Sequence, residues 1–288
     1  MTVLLPYLPA IIAGGGLIFG LSLLRLIYGY HQDQKIQRLL KGTDPHPPGF
    51  IHYLRVKRLS ADIIYYSAVM VGIPCVMGAV HFLLEYLSFP ITQVNLMLIG
   101  GLTVSASIVV MMKLIIALKK RRRLSLAYEA EVVVGKELDR LAASGYRIFH
   151  DVAADTSTIG HIVVGCKGVF MVETVSRRNP KSTSKNGSAI PVEYNGHVLF
   201  YPDGKDLKTL EKVADRASWL SDWLGRKIGE PIAIRSVVAL PGWTIKRTSA
   251  NGIPVVNPKQ FGALFEHIQP RLLSKEMIGR IIEQLDQR

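Results

Sequence analysis

A short basic run offers the clearest chemistry in this sequence. Arg177 and Arg178 are followed by Lys181 and Lys185, in a polar stretch that also contains Asn and Ser. Guanidinium and ammonium groups can neutralise nucleic-acid phosphates, and binding of that kind weakens steeply with salt. The alternative is a solvated surface loop, as charge runs usually are, and no aromatic side chains interleave with the cations to form a stacking groove for single strands. The run therefore predicts a candidate contact with a phosphate backbone.

Other patterns that carry chemistry are sparse. The two cysteines, Cys75 and Cys166, form no C-x-x-C pair, so they indicate neither a zinc site nor a disulfide framework and suit a reducing compartment. We find no glycine-rich phosphate loop. His81 is the one ionisable side chain deep in an apolar segment, where an interhelix hydrogen bond is favoured over transport chemistry.

Three apolar segments predict an all-α transmembrane region over residues 1–123. Helices are expected at about 4–27, 62–85 and 90–117, each long enough to cross ~30 Å of hydrocarbon. No basic residue precedes the first segment, so it is expected to remain as an anchor rather than be cleaved as a signal peptide. Glycines within that segment favour helix contacts, either inside the chain or in a homo-oligomer.

The distribution of charge predicts the orientation of these segments. A basic loop at about 29–60 and a run of five basic residues at 119–123 flank segments whose other connection carries no charge. By the positive-inside rule, the N-terminus lies outside and both basic regions are cytoplasmic. The expected location is the bacterial inner (plasma) membrane, with several spans, the lipid bilayer as a partner and a cytoplasmic domain at 124–288.

Residues 124–288 have the composition of a water-soluble α/β domain. They contain 22 lysines and arginines against 18 aspartates and glutamates, so most of the net charge of +13 lies in the membrane region. Apolar periodicity predicts a helix, three strands, a hairpin at Asn195-Gly196, a helix, a strand and terminal helices. The predicted ranges after the first helix are 147–152, 159–165, 169–175, 192–201, 206–224, 232–240 and 274–285.

A set of spaced motifs in this domain resembles the nuclease-related domain, NERD, a branch of the PD-(D/E)XK nuclease superfamily. The motifs are Glu131-x-x-Val134-x-x-x-Leu138-x-x-Leu141, Gly145–Val152, Ile159–Gly165 and Gly168–Val175. The resemblance implies a restriction-endonuclease-like mixed sheet flanked by helices. It also implies metal-assisted phosphodiester hydrolysis, in which carboxylates hold a hard cation and a lysine assists the attacking water.

The resemblance maps onto this chain with two losses. Glu131 matches the helix glutamate and Glu173 the strand glutamate, but Gly160 stands at the aspartate position and Val175 at the lysine position. We therefore expect a degenerate site with Glu131 and Glu173 as remnants and no cofactor. If activity survives, Glu173 and a displaced Asp155 would hold Mg²⁺ or Mn²⁺.

A replacement for the lost lysine is also conceivable. Arg177 shares strand parity with Glu173 and Val175, so it would project near the old lysine site if the strand continued. An arginine there would contact phosphate but would be a poor general base.

Three functions follow from the sequence. The first is a membrane-anchored, catalytically inactive nuclease-like module that binds DNA, or a subunit of a DNA-handling or secretion complex. The second is a structural membrane-assembly protein without nucleic-acid affinity. The third is a metal-dependent nuclease with a displaced active site.

Overall fold

The computed structural model describes residues 47–88, 93–155, 158–179, 191–268 and 272–288. The helix expected at 4–27 lies outside this range, as do the basic residues Lys181 and Lys185. Among the described residues, one compact unit holds 54–124 and a second holds 47–53 together with 125–288.

The first unit consists of two long helices. Helix α1 spans Phe50–Tyr86 and helix α2 spans Gln93–Asp139, and α2 continues without a break into the second unit. Both contain apolar stretches long enough to cross a membrane, and almost none of those stretches is buried within the protein. The exposed side chains along them are large and apolar, including Ile64, Val71, Phe82, Met97, Leu102 and Ile116.

These helices correct two sequence-based boundaries. The loop predicted at 29–60 is helical from Phe50 onward, and the helix predicted at 62–85 therefore begins earlier. Polar side chains tolerate this extension, and Ser60 donates its hydroxyl to the carbonyl of Val56 one turn back. The helix predicted at 90–117 likewise forms part of a longer one, because its basic end continues as helix rather than stopping. Of three predicted spans, two lie in the part of the chain that is described, and both are helical.

The second unit is built on a mixed five-stranded sheet. Its strands are β1 (Arg147–Ala153), β2 (Thr158–Gly165), β3 (Gly168–Thr174), β7 (Ile234–Ala239) and β9 (Val255–Val256), in the spatial order β1-β2-β3-β7-β9. The first three strands pair antiparallel, as the short turn at Gly165–Gly168 predicts, whereas β7 and β9 add in parallel. The predicted mixed α/β class is confirmed.

Helices cover both faces of this sheet. Along β3 the side chains alternate: Val169 and Met171 pack into one core cluster, and Phe170 and Val172 into another. The first cluster faces helices α3 (Lys208–Ile228) and α5 (Lys275–Asp286), and the second faces α2 and α4 (Phe261–His267). A 3-10 turn at Arg140–Ser144 ends α2, and another at Pro258–Gln260 precedes α4.

A smaller four-stranded sheet packs beside the first core cluster. It contains β4 (Val192–Tyr194), β5 (Leu199–Tyr201), β6 (Gly204–Asp206) and β8 (Ile245–Arg247), ordered β6-β5-β4-β8. The predicted hairpin is confirmed, since β4 and β5 pair antiparallel and the Asn195 side chain accepts from the backbone N–H groups of His197 and Val198. Strands β6, β8 and β9 have only two or three residues and carry no periodicity that predicts them.

Candidate functional site

Glu131 lies on helix α2, almost fully buried against the sheet. Its Oε2 atom accepts a hydrogen bond of 2.9 Å from the Thr174 hydroxyl and lies 2.7 Å from Nε2 of His161. Burial alone would raise the pKa of this carboxyl, but His161 and Thr174 hold it below its ordinary value. Both contacts favour the charged form, so Glu131 is a carboxylate with its partners already supplied by the protein.

A chain of histidines extends from this carboxylate. Nδ1 of His161 lies 2.8 Å from Nδ1 of His150, and Nε2 of His150 lies 3.1 Å from Asp139. If His150 donates to Asp139, its Nδ1 is the acceptor and His161 must donate across the pair. The other ring nitrogen of His161, Nε2, faces Glu131, so the imidazole joins the carboxylate to His150. Burial, followed by the charge of His161, lowers the pKa of His150.

Asp151 is a second buried carboxylate on the same side of the site. Its backbone has a φ of +52°, which is uncommon for a residue other than glycine, and only 7% of the residue is exposed. The backbone N–H groups of Phe50 and Ile51 donate to it, while its Oδ2 atom has no hydrogen-bond partner. Burial and the neighbouring charge of Glu131 raise the pKa of Asp151 to about 6.

Glu173 has a different environment. It lies near the end of β3, where Oε1 is 2.5 Å from Nη1 of Arg216 on helix α3. Both side chains are partly exposed, at 21% for Glu173 and 30% for Arg216. Burial raises the pKa of Glu173 although the guanidinium opposes this rise. The strand glutamate is therefore held in an ion pair.

The alternation of β3 explains why the two glutamates have separate partners. Glu173 continues the face of Val169 and Met171 toward α3, whereas Thr174 continues the opposite face toward α2. Thr174 therefore contacts Glu131 on α2 and Glu173 contacts Arg216 on α3. The charges of Glu131 and Glu173 still act on each other, since Glu131 contributes to the raised pKa of Glu173.

Gly160 lies directly against the helix glutamate. A Cβ atom at this position would stand 3.1 Å from both carboxylate oxygens of Glu131. The register pairs His150 with His161 and Val152 with Ile159, which leaves Gly160 and Asp151 between these pairs. A carboxylate-bearing side chain at position 160 would thus adjoin Glu131, and glycine removes it.

The other residues singled out in the sequence lie elsewhere or have other partners. Val175 packs against the core cluster that faces α3. Asp155 accepts from the indole N–H of Trp219 at 3.1 Å and pairs with Arg288 at 3.0 Å, and these contacts lower its pKa.

The start of the basic run is attached to the small sheet. Arg177 pairs with Asp203 at 2.7 Å, and its guanidinium lies 4.0 Å from the ring centroid of Tyr201. The Arg177 carbonyl accepts from the indole of Trp243. Arg178, in contrast, is exposed to solvent. Thus Arg177 is engaged within the fold, and Arg178 is available for an external anion.

These residues do not fit a hard divalent cation. Within the described ranges, no three Asp, Glu, His or Cys side chains are placed to hold a metal ion. The Glu173 carboxylate faces a guanidinium, the Glu131 carboxylate faces an imidazole and a hydroxyl, and Gly160, where the resemblance implied an aspartate, offers no side-chain ligand. Mg²⁺ requires several oxygen ligands in near-octahedral geometry, which this arrangement does not offer.

Sequence reasoning missed three residues that define this site. Arg216 lies on the buried-face repeat of a predicted helix, but nothing in the repeat shows which strand it meets. His150 and Asp151 belong to the motif Gly145–Val152, where alternate positions predicted an ordinary strand. A polar pair inside an apolar strand was the signal that could have identified them.

Residues 126–241 match the family model of the nuclease-related domain, NERD. The matched range includes all of the site from Glu131 to Arg216. No curated protein and no solved structure gives a significant match to the chain.

Proposed function

We propose that this protein is a membrane-anchored, nuclease-like module that binds nucleic acid without hydrolysing it. The observation that carries the proposal is the ion pair between Glu173 and Arg216 at 2.5 Å. It puts a permanent cation of the protein on the carboxylate that would otherwise help to hold a metal. The nuclease-related match over residues 126–241 supports a nuclease-like core of the restriction-endonuclease type.

An arginine cannot restore the chemistry of the missing lysine. The guanidinium stays protonated in proteins, so it cannot accept a proton from water. It also cannot become uncharged beside a metal ion. Glu131 is already occupied by its own buried partners, His161 and Thr174, and Gly160 supplies no ligand. Loss of one catalytic group commonly costs several orders of magnitude in rate, and here two positions have changed.

Anchoring in a membrane is supported by helices α1 and α2. Their apolar stretches expose large hydrophobic side chains along two helices, whereas a soluble protein rarely exposes contiguous apolar surface on this scale. A cluster of basic residues follows the apolar part of α2 at 119–123, and all five are exposed. This order of apolar and basic segments is typical of the cytoplasmic end of a span.

Binding of nucleic acid is supported by charge. The domain carries a modest positive balance, and Arg178 is exposed at the start of the polar stretch that contains Lys181 and Lys185. Phosphate contacts of this kind supply sequence-independent affinity. A protein partner in a DNA-handling or secretion complex remains the alternative occupant of this surface.

The first test is cleavage. The full chain, purified in detergent, is incubated with labelled single- and double-stranded DNA in Mg²⁺ or Mn²⁺, beside its Glu173→Ala variant. We expect no cleavage by either protein. Metal-dependent cleavage that disappears in Glu173→Ala would overturn the proposal and establish a displaced active site.

The second test is binding at increasing salt, measured by fluorescence anisotropy of the same DNA. We expect binding at low salt that weakens as salt rises, and a loss of about tenfold or more when Arg178, Lys181 and Lys185 become Gln. Lys275→Gln, which alters an exposed lysine on helix α5, serves as the matched control. No binding at low salt would favour a structural membrane-assembly protein instead.

A further inference from the structure

The segment that begins helix α1 packs onto the helix glutamate of the nuclease-like site. Residues 47–53 belong to the same compact unit as the α/β domain. Gly49 has a φ of +73°, and a Cβ atom there would stand 3.0 Å from Cβ of Glu131 and 3.1 Å from the ring of Tyr128. Only glycine allows the backbone to approach α2 so closely in this conformation.

Two further contacts fix the same segment. A Cβ atom added to Gly135 would lie 2.3 Å from Cβ of Pro48, so the proline ring occupies the notch that this glycine leaves in α2. The rings of Tyr53 and Tyr128 are 5.8 Å apart between centroids. Ile51 is 3% exposed, so the first turn of α1 is buried at this surface.

The N-terminus of α1 has one local hydrogen bond, from the N–H of Phe50 to the carbonyl of Pro47 at 3.2 Å. Pro47, Pro48 and Gly49 precede the helix, and its first turn contains no acidic residue. The first N–H groups of a helix have no partner within it and prefer a negatively charged acceptor. That acceptor comes from strand β1, because the Asp151 carboxylate receives the N–H groups of Phe50 and Ile51.

We propose that the degenerate nuclease site is a socket for the chain's own membrane helix, with Asp151 as its cap and Gly135 as its notch. The socket consists of Asp151, Glu131, Tyr128 and Gly135, and its occupant is the segment Pro47–Tyr53. The same helix, α1, runs on to Tyr86 through its apolar stretch. The Asp151 carboxylate therefore holds the start of a membrane span, and the Glu131 side chain packs against the same segment. This inference goes beyond nucleic-acid binding and does not depend on it.

Hydrogen–deuterium exchange of the full chain in detergent tests the socket. Gly135→Ala fills the notch against Pro48 while adding a better helix former to α2. Asp151→Ala removes the cap. We expect both variants to speed exchange of the amides of Phe50 and Ile51 by about tenfold or more, while the amides of β1–β3 keep their parental rates. Gly279→Ala is the control, since a Cβ atom at that helical glycine meets no neighbour.

Each outcome of this experiment decides the proposal. If Gly135→Ala leaves Phe50 and Ile51 as protected as in the parent, the segment does not depend on the notch and the socket is rejected. If Gly135→Ala also speeds exchange throughout β1–β3, its effect is on the domain as a whole and the socket is again rejected. If Asp151→Ala speeds exchange throughout β1–β3 and Gly135→Ala does not, the Gly135→Ala result decides the proposal.

Discussion

The two glutamates of the nuclease-like site are stabilised in opposite ways. Glu131 contacts His161 of β2 and Thr174 of β3 and is linked through His161 to a second histidine, His150 of β1. Glu173, on the opposite face of strand β3 from Thr174, is paired with a single, partly exposed guanidinium. A buried charge such as that of Glu131 becomes costly when any partner is removed. A partly exposed charge such as that of Glu173 can be hydrated when its partner is lost.

This difference shows that the two carboxylates have separate structural roles. Glu131 has several buried partners, so its removal should strongly destabilise the domain, whereas Glu173 is paired with one side chain. Unfolding of the domain can be measured selectively, because all three tryptophans, Trp219, Trp223 and Trp243, lie within residues 125–288. Tryptophan fluorescence of the full chain in detergent during urea denaturation is therefore the common readout for the comparison.

The largest effect is expected for Glu131→Ala. The change leaves His161, which is fully buried, and the Thr174 hydroxyl without their shared acceptor. Breaking a buried pair in this way costs about 3–5 kcal/mol of unfolding free energy. Glu211→Ala, at an exposed site on α3, is the control and should change stability by less than about 0.5 kcal/mol. A Glu131→Ala domain as stable as the parent would contradict the enclosed, linked role of this carboxylate.

Asp151 should make the same region sensitive to pH. The folded domain keeps a proton on Asp151 up to about pH 6, whereas the unfolded chain releases it near the ordinary value of 3.8. Since the folded state binds more protons in this window, the stability contribution falls as pH rises from about 4 to 6 and stays low above it. The difference between the two pKa values corresponds to about 3 kcal/mol.

The measurement is the unfolding free energy of Asp151→Asn relative to the parent, at pH 4 and at pH 7.5. Asparagine keeps an acceptor for α1 but does not titrate, so the relative stability of the variant should rise by up to about 3 kcal/mol over this interval. Taking the difference between variant and parent cancels the titration of His150. A difference that is the same at both pH values would show that Asp151 is not buried in its charged form at neutral pH.

More of the fold than of the site could be predicted from the sequence. Alternating and helical periodicities located the long strands and helices, because burial imposes those periods on any chain. Asp151 and Arg216 escaped it because their roles come from pairings between distant segments. The cap of α1 is supplied from strand β1, about a hundred residues later in the chain. The sequence shows Gly160 and Val175 where the resemblance implies an aspartate and a lysine. Only the packing shows that the guanidinium of Arg216 faces the carboxylate of Glu173.

Gly160→Asp tests whether the helix glutamate tolerates a second charge. Its Cβ atom would lie 3.1 Å from both oxygens of Glu131, so a new carboxylate would add like-charge repulsion to a tight contact. We expect a loss of about 2 kcal/mol, and a smaller loss for Gly160→Asn, which has the same shape without the charge. If Mg²⁺ restores the stability of the aspartate variant but not of the asparagine variant, the region does accept a divalent cation.

Arg216→Ala should have the smallest effect of the series. The change leaves Glu173 without its ion pair, but the carboxylate is partly exposed and can gain water or a proton. We expect a loss of about 1 kcal/mol at neutral pH. Because removal of the guanidinium leaves burial to raise the pKa of Glu173 unopposed, the loss should shrink as pH falls and the carboxyl takes up a proton. The Glu173→Gln, Arg216→Ala double variant closes a mutant cycle for the pair. A coupling as large as the cost of Glu131→Ala would erase the contrast between the two glutamates, since it would mean that the surface ion pair is as deeply linked to the fold as the enclosed one.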